Sequence, residues 1–132
     1  MQTAPPGQLV VMLYDGAIRF LERANVGFQH EDPLEFNATI NNNVLRAQEI
    51  IHELNNSLDM QQGGELANTL RALYNYMDRR LTESNMHKTS DGIHETIRRL
   101  TVLRDAWSEM LNQQGAPVPA EQQQASPLYA TV

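Results

Sequence analysis

Two pairs of side chains in this sequence have spacing that could serve a metal. Glu49-Ile50-Ile51-His52 is a Glu-x-x-His, the spacing ferritin-like bundles use at di-iron centres. Asp91-Gly92-Ile93-His94 sets an acid three residues before a histidine. A di-iron centre needs two Glu-x-x-His motifs and two more glutamates, all facing inward. Neither pair meets that demand. At 100° per residue, the apolar stripe around Glu49 centres between Ile40 and Ala47, so Glu49 and His52 lie about 140–160° from it. His94 likewise turns away from Ile93, Leu100 and Trp107. No metal or other cofactor is expected.

Other chemistry fares no better. The chain has no cysteine, so thiolate ligands and cysteine nucleophiles are excluded. No serine, threonine or lysine has an evident base partner. Gly63-Gly64 follows no strand and therefore forms no phosphate loop; it reads as the C-cap that stops a helix. Arg79 and Arg98 should be solvated. Arg80 and Arg99 sit nearer the apolar stripes and can lay their stems along them. The chain is not expected to be an enzyme.

The elements that carry these residues are helices. Among 132 residues, 41% are hydrophobic, enough for one core, and 20% are charged. Val10, Leu13, Tyr14, Ala17, Leu21, Ala24 and Phe28 step by three and four, behind a Thr3 cap and two prolines. A second stripe, Phe36, Ile40, Val44, Ala47, Ile51, Leu54 and Leu58, follows Asp32-Pro33-Leu34-Glu35, a capping-box start. A third runs Leu66, Leu70, Leu73, Met77, Leu81. A fourth runs Ile93, Ile97, Leu100, Leu103, Trp107, Met110. Helices are predicted at about 5–29, 33–57, 65–86 and 91–111. Short connections make successive helices antiparallel neighbours, so the fold expected over residues 1–111 is all-α, an antiparallel up-down four-helix bundle. Residues 112–132, rich in Gln, Ala and Pro, read as a disordered tail.

The net charge is −6, with one lysine (Lys88) and nine arginines. Such an acidic chain is a poor partner for a nucleic-acid backbone. No apolar run reaches the 18 or so residues of a membrane span, and no signal peptide is apparent, so a soluble cytoplasmic protein without membrane insertion is expected.

The first helix has more apolar surface than a core requires. Its apolar residues, from Gly16 round to Val11, cover an arc of about 220° at 100° per residue. Two bundle neighbours use about 150–180° of it. Val11 and Ile18 are left over on one shoulder, Gly16 and Phe20 on the other. Gly16 costs a helix interior about 1 kcal/mol relative to alanine. Gly27 lies within about 20° of it, so two small residues flank Phe20 and invite close approach of another backbone. On the second helix, Leu34, Ala38 and Leu45 form a minor stripe opposite the main one. Tyr76 stands off the leucine stripe of the third. Such spare apolar surface suits a groove for a partner's amphipathic helix, or a homodimer interface in a structural or regulatory module.

Several stretches resemble a known family. "TAPPGQLVVMLYDGAIRFLERA" is similar to the opening helix of the flagellin-specific export chaperones, the FliS family. "AQEIIHELNNSLDMQQGGELANTLRALYNYMDRRL" resembles its second and third helices, and "LTVLRDAW" its fourth. The resemblance spans about residues 3–111, with the "LYDGA" and "SLD…GGE" blocks as its most specific parts. It implies a cytoplasmic bundle that binds the disordered C-terminal segment of flagellin, folds it into helices and prevents premature polymerisation. It also implies delivery to a flagellar export gate component. The spare apolar surface, for its part, allows a weak homodimer in the absence of client. Members of the family usually carry a tyrosine-containing segment ahead of the Thr-Ala-x-Pro element, near which this sequence begins; that segment is linked to covering the groove and docking at the gate. The client groove is expected at Val11, Tyr14, Asp15, Gly16, Ile18, Phe20, Leu34, Leu45 and Tyr76, with Asp15 on its polar rim.

Overall fold

The computed structural model describes residues 6–114. Four helices follow one another: α1 (Pro6–Gly27), α2 (Pro33–Asn56), α3 (Gly64–His87) and α4 (Asp91–Gln114). Each packs on the next, and α1 also packs on α4, so the helices form a closed ring around one core. Their direction follows from the register of the contacts. Gly27 meets Ile40 while Gly16 meets Ile50, so α1 and α2 run opposite ways. Asn41 pairs with Asn85 and Asn55 with Asn75 across α2 and α3. Gly7 meets Leu111 and Asn25 meets His94 across α1 and α4. The bundle is all-α, antiparallel and up-down, as the periodicity predicts.

The stripes read from the sequence line the core. Leu21, Ile40, Ile51, Met77, Leu81, Ile93 and Leu100 are fully buried. At the end where α1 turns into α2, Phe28 and Phe36 stack edge to face, their centroids 5.5 Å apart. Asp32 caps α2 as expected: its carboxylate accepts the Glu35 N–H at 3.0 Å, with Pro33 in the first turn.

Two boundaries differ from expectation. Gly63-Gly64 does not end α2, which stops at Asn56. The Ser57 hydroxyl donates to the Leu54 carbonyl at 2.8 Å, and Asp59 organises the following turn by accepting from the Gln61 and Gln62 amides. The glycines instead open α3. Gly64 has a φ of +58°, a left-handed conformation that glycine adopts without a Cβ clash. Glycine marks an irregular backbone here, but the turn lies before it, not at it. Helix α4 continues to Gln114, beyond the composition change after Leu111. The remainder of the expected tail, residues 115–132, and the Thr3 cap lie outside the described residues.

Candidate functional site

The expected groove residues divide into buried and accessible sets. Tyr14 and Ile18 belong to the core, so neither lines an open client groove and the shoulder expected at Ile18 is closed. Tyr14 is fully buried; its hydroxyl lies 2.5 Å from that of Tyr74 across the bundle. Burial pushes the Tyr14 phenol up, opposed by its hydrogen bond to Tyr74. Burial likewise pushes up the Tyr74 phenol, and proximity to Tyr14 adds to the shift. Both stay neutral, as buried phenols do. Ile18 is only 6% exposed. The reason is the placement of α4. On the wheel Ile18 falls between Gly7, which meets Leu111, and Asp15, which meets Arg104, so α4 covers that shoulder.

Gly16 has a similar explanation on the opposite side. A Cβ there would sit 3.2 Å from the Ile50 Cδ1, and one at Gly27 would sit 3.0 Å from both Ile40 and Thr39. What the two glycines admit are side chains of α2, a neighbour within the bundle, at the α1 backbone. Asp15 accepts from the Arg104 guanidinium at 3.1 Å, a hydrogen-bonded ion pair between α1 and α4.

Tyr76 is half-buried and bound into a polar cluster between α3 and α4. Its hydroxyl donates to Glu95 at 2.8 Å, and the same carboxylate accepts from Arg80 at 3.0 Å and Arg99 at 2.9 Å. The Arg99 guanidinium also covers the Tyr76 ring, 5.2 Å from its centroid. These donors, Tyr76 foremost, hold the Glu95 carboxyl down to about 2, against the desolvation that raises it. Arg80 and Arg99 lie beside their stripes as expected, but this cross-helix cluster is not visible in the sequence.

The remaining residues are accessible. Leu34 is 77% exposed and Leu45 46% exposed on the outer face of α2. Val11, half-buried, lines a groove of about 300 Å³ between α1 and α4 with Gln8, Met12, Ser108, Leu111 and Asn112. Gly16 and half-buried Phe20 form a cleft of about 120 Å³ with Arg19 and Arg23. Met12, at 60% exposure, and Leu9 enlarge the apolar surface of α1. Both escaped the sequence-based site, although Leu9 lies on the wide arc of the wheel.

Glu49 and His52 are exposed, as the wheel places them. His52 meets Asp78 at 2.9 Å and Glu49 lies 3.9 Å from Arg46. Among the described residues, no group of three or more His, Cys, Asp or Glu is arranged to hold a metal ion. No described helix is long and apolar enough to cross a membrane.

Fold and surface together define a helical-bundle interaction protein, with spare apolar area concentrated on its first two helices. The family model for the flagellar protein FliS matches residues 1–114. The flagellar secretion chaperone FliS of Bacillus subtilis (strain 168) is 34% identical over 84% of this chain and 79% of its own. That of Campylobacter jejuni is 37% identical over 81% of this chain and 80% of its own, and that of Salmonella typhimurium 33% over 83% and 79%. The chain belongs to the FliS family. It is therefore an export chaperone of the flagellar system with a protein client, and not an enzyme.

Proposed function

We propose that the client is flagellin, and that its disordered C-terminal segment binds the outer surface of α1 and α2. Five of the seven large hydrophobic side chains exposed among the described residues, Leu9, Met12, Val26, Leu34 and Leu45, lie on these two helices. This concentration is the observation that carries the reading. Amphipathic client helices gain about 25 cal/mol per Å² of apolar area buried there, offset by roughly 2–5 kcal/mol or more for ordering the segment. Occupying the segment in the cytoplasm prevents premature polymerisation, and the complex is then handed to a flagellar export gate component.

Within this reading Val11, Gly16, Phe20, Leu34 and Leu45 contact the client. Tyr14 and Ile18 act from beneath by fixing α1. Asp15 and Tyr76 secure α4 against its neighbours, Asp15 at the border of this surface and Tyr76 in the opposite seam. The test is titration with a peptide of the cognate flagellin C-terminal segment. One-to-one binding, increased helicity and a negative heat-capacity change are expected. Lack of saturable binding would contradict the reading. A tight dimer by sedimentation at micromolar concentration, undissociated by the peptide, would assign the surface to self-association.

A further inference from the structure

The cleft on α1 has a charge pattern that the apolar surface alone does not explain. Its wall is Phe20 and the bare backbone at Gly16, and its rim is Arg19 and Arg23 from successive turns. The protein has acids in excess, 16 against 10 basic residues, yet no described acid approaches within salt-bridge distance of either rim arginine. By contrast, Arg80, Arg99 and Arg104 are held by carboxylates in the interhelical seams. Arg79 and Arg98 are also without an acid partner among the described residues, but they stand on separate helices and line no described cleft. Arg23 instead rests over the Phe20 ring, 5.5 Å from its centroid. An exposed cation over an aromatic face gains only about 0.5–1 kcal/mol, so a carboxylate can readily draw it away.

We propose that this cleft receives an acidic stretch of the client. An aliphatic side chain enters between Gly16 and Phe20, and carboxylates about one turn away on the same client helix pair with Arg19 and Arg23. The occupant follows from charge complementarity: a slot of about 120 Å³ beside Gly16 and Phe20 admits one side chain, and the two fork-shaped donors that also line it match carboxylates. Such pairing adds orientation to an apolar contact that by itself permits sliding, since opposite charges at a rim fix register. The proposal rests on flagellin being the client.

The experiment compares three proteins by calorimetry with the cognate flagellin C-terminal peptide, at low and high salt. They are the wild type, Arg19→Gln/Arg23→Gln and the control Arg79→Gln/Arg98→Gln. All four arginines are exposed, so circular dichroism should show intact bundles. The cleft pair should weaken binding about three- to tenfold at low salt, as expected for two exposed ion pairs. The difference should shrink at high salt, where exposed charges are screened. The control pair should bind as the wild type does. No loss in the cleft pair, or an equal loss in both pairs, overturns the cleft assignment while flagellin remains the client. No binding by the wild type overturns the client reading and the cleft assignment with it.

Discussion

Helix α1 meets α2 through glycine and aliphatic side chains, whereas α3 meets both of its neighbours beneath a layer of hydrogen bonds. On the α1–α2 side, Gly16 and Gly27 let Ile50, Ile40 and Thr39 approach the α1 backbone. On the α2–α3 side, Gln48 donates to Asp78 and Thr82, and Arg71 donates to Asn55. On the α3–α4 side, Glu95 gathers Tyr76, Arg80 and Arg99. The exposed apolar residues follow the same division, with Met86 alone on α3 and Val102 alone on α4. The polar seams leave little outer apolar surface for a helix to grip. The close apolar seam leaves the outer faces of α1 and α2 free to carry it.

The largest effect that could break this division is at Ile18. Replacement by aspartate places a charge in the core, which costs several kcal/mol, so thermal denaturation should show a bundle largely unfolded at room temperature. A folded Ile18→Asp protein would mean that this shoulder of α1 is open after all. Gly92 and Gly16 give a sharper contrast. A Cβ at Gly92 would collide with the Ser84 hydroxyl and lie 2.7 Å from the Arg80 carbonyl oxygen, which belongs to the backbone and cannot move aside. Gly92→Ala should cost about 1–3 kcal/mol in urea unfolding. At Gly16 the obstacle is the terminal methyl of a half-buried isoleucine, which can rotate, while alanine gains roughly 1 kcal/mol of helix propensity. Gly16→Ala should therefore leave stability unchanged or raise it.

Tyr14→Phe should cost about 1–3 kcal/mol, because it leaves the buried Tyr74 hydroxyl without its partner. Adding Tyr74→Phe should recover much of that loss, which a double-mutant cycle measures. The smallest effect concerns pH. Glu95 titrates lower in the folded protein, at about 2, than in the unfolded chain, at about 4.3. Its contribution is therefore complete above the unfolded value and disappears as pH falls through the folded one. Urea unfolding from pH 5 down to about pH 2 should show a steeper decline for the wild type than for Glu95→Gln.

Much of the bundle was legible because helical periodicity is local. Apolar residues three and four apart define each core face without knowledge of the other helices, and Asp32-Pro33-Leu34-Glu35 supplies its own cap. The outer stripe of Leu34 and Leu45 was legible for the same reason, since it lies opposite a well-defined core face. Ile18 reads as spare surface in the sequence because a shoulder becomes core only when a particular neighbour lies against it. That depends on where α4 sits, which the α1 sequence does not encode. The Glu95 cluster and the Asp15–Arg104 pair depend on interhelical register, and Arg104 lies 89 residues from Asp15. Gly63-Gly64 misled because an irregular backbone can open a helix as well as close one.

In the proposed function the client lies on α1 and α2 and not on the polar flank. The most direct measurement compares binding of the cognate flagellin C-terminal peptide to Leu34→Asp/Leu45→Asp and to Met86→Asp/Val102→Asp. All four side chains are exposed, so both proteins should fold, and each gains the same charge. Loss of two apolar anchors should weaken binding of the first at least about tenfold, while the second binds as the wild type does. Unchanged affinity in the first protein, with a loss in the second, would move the client to α3 and α4 and contradict the proposed function.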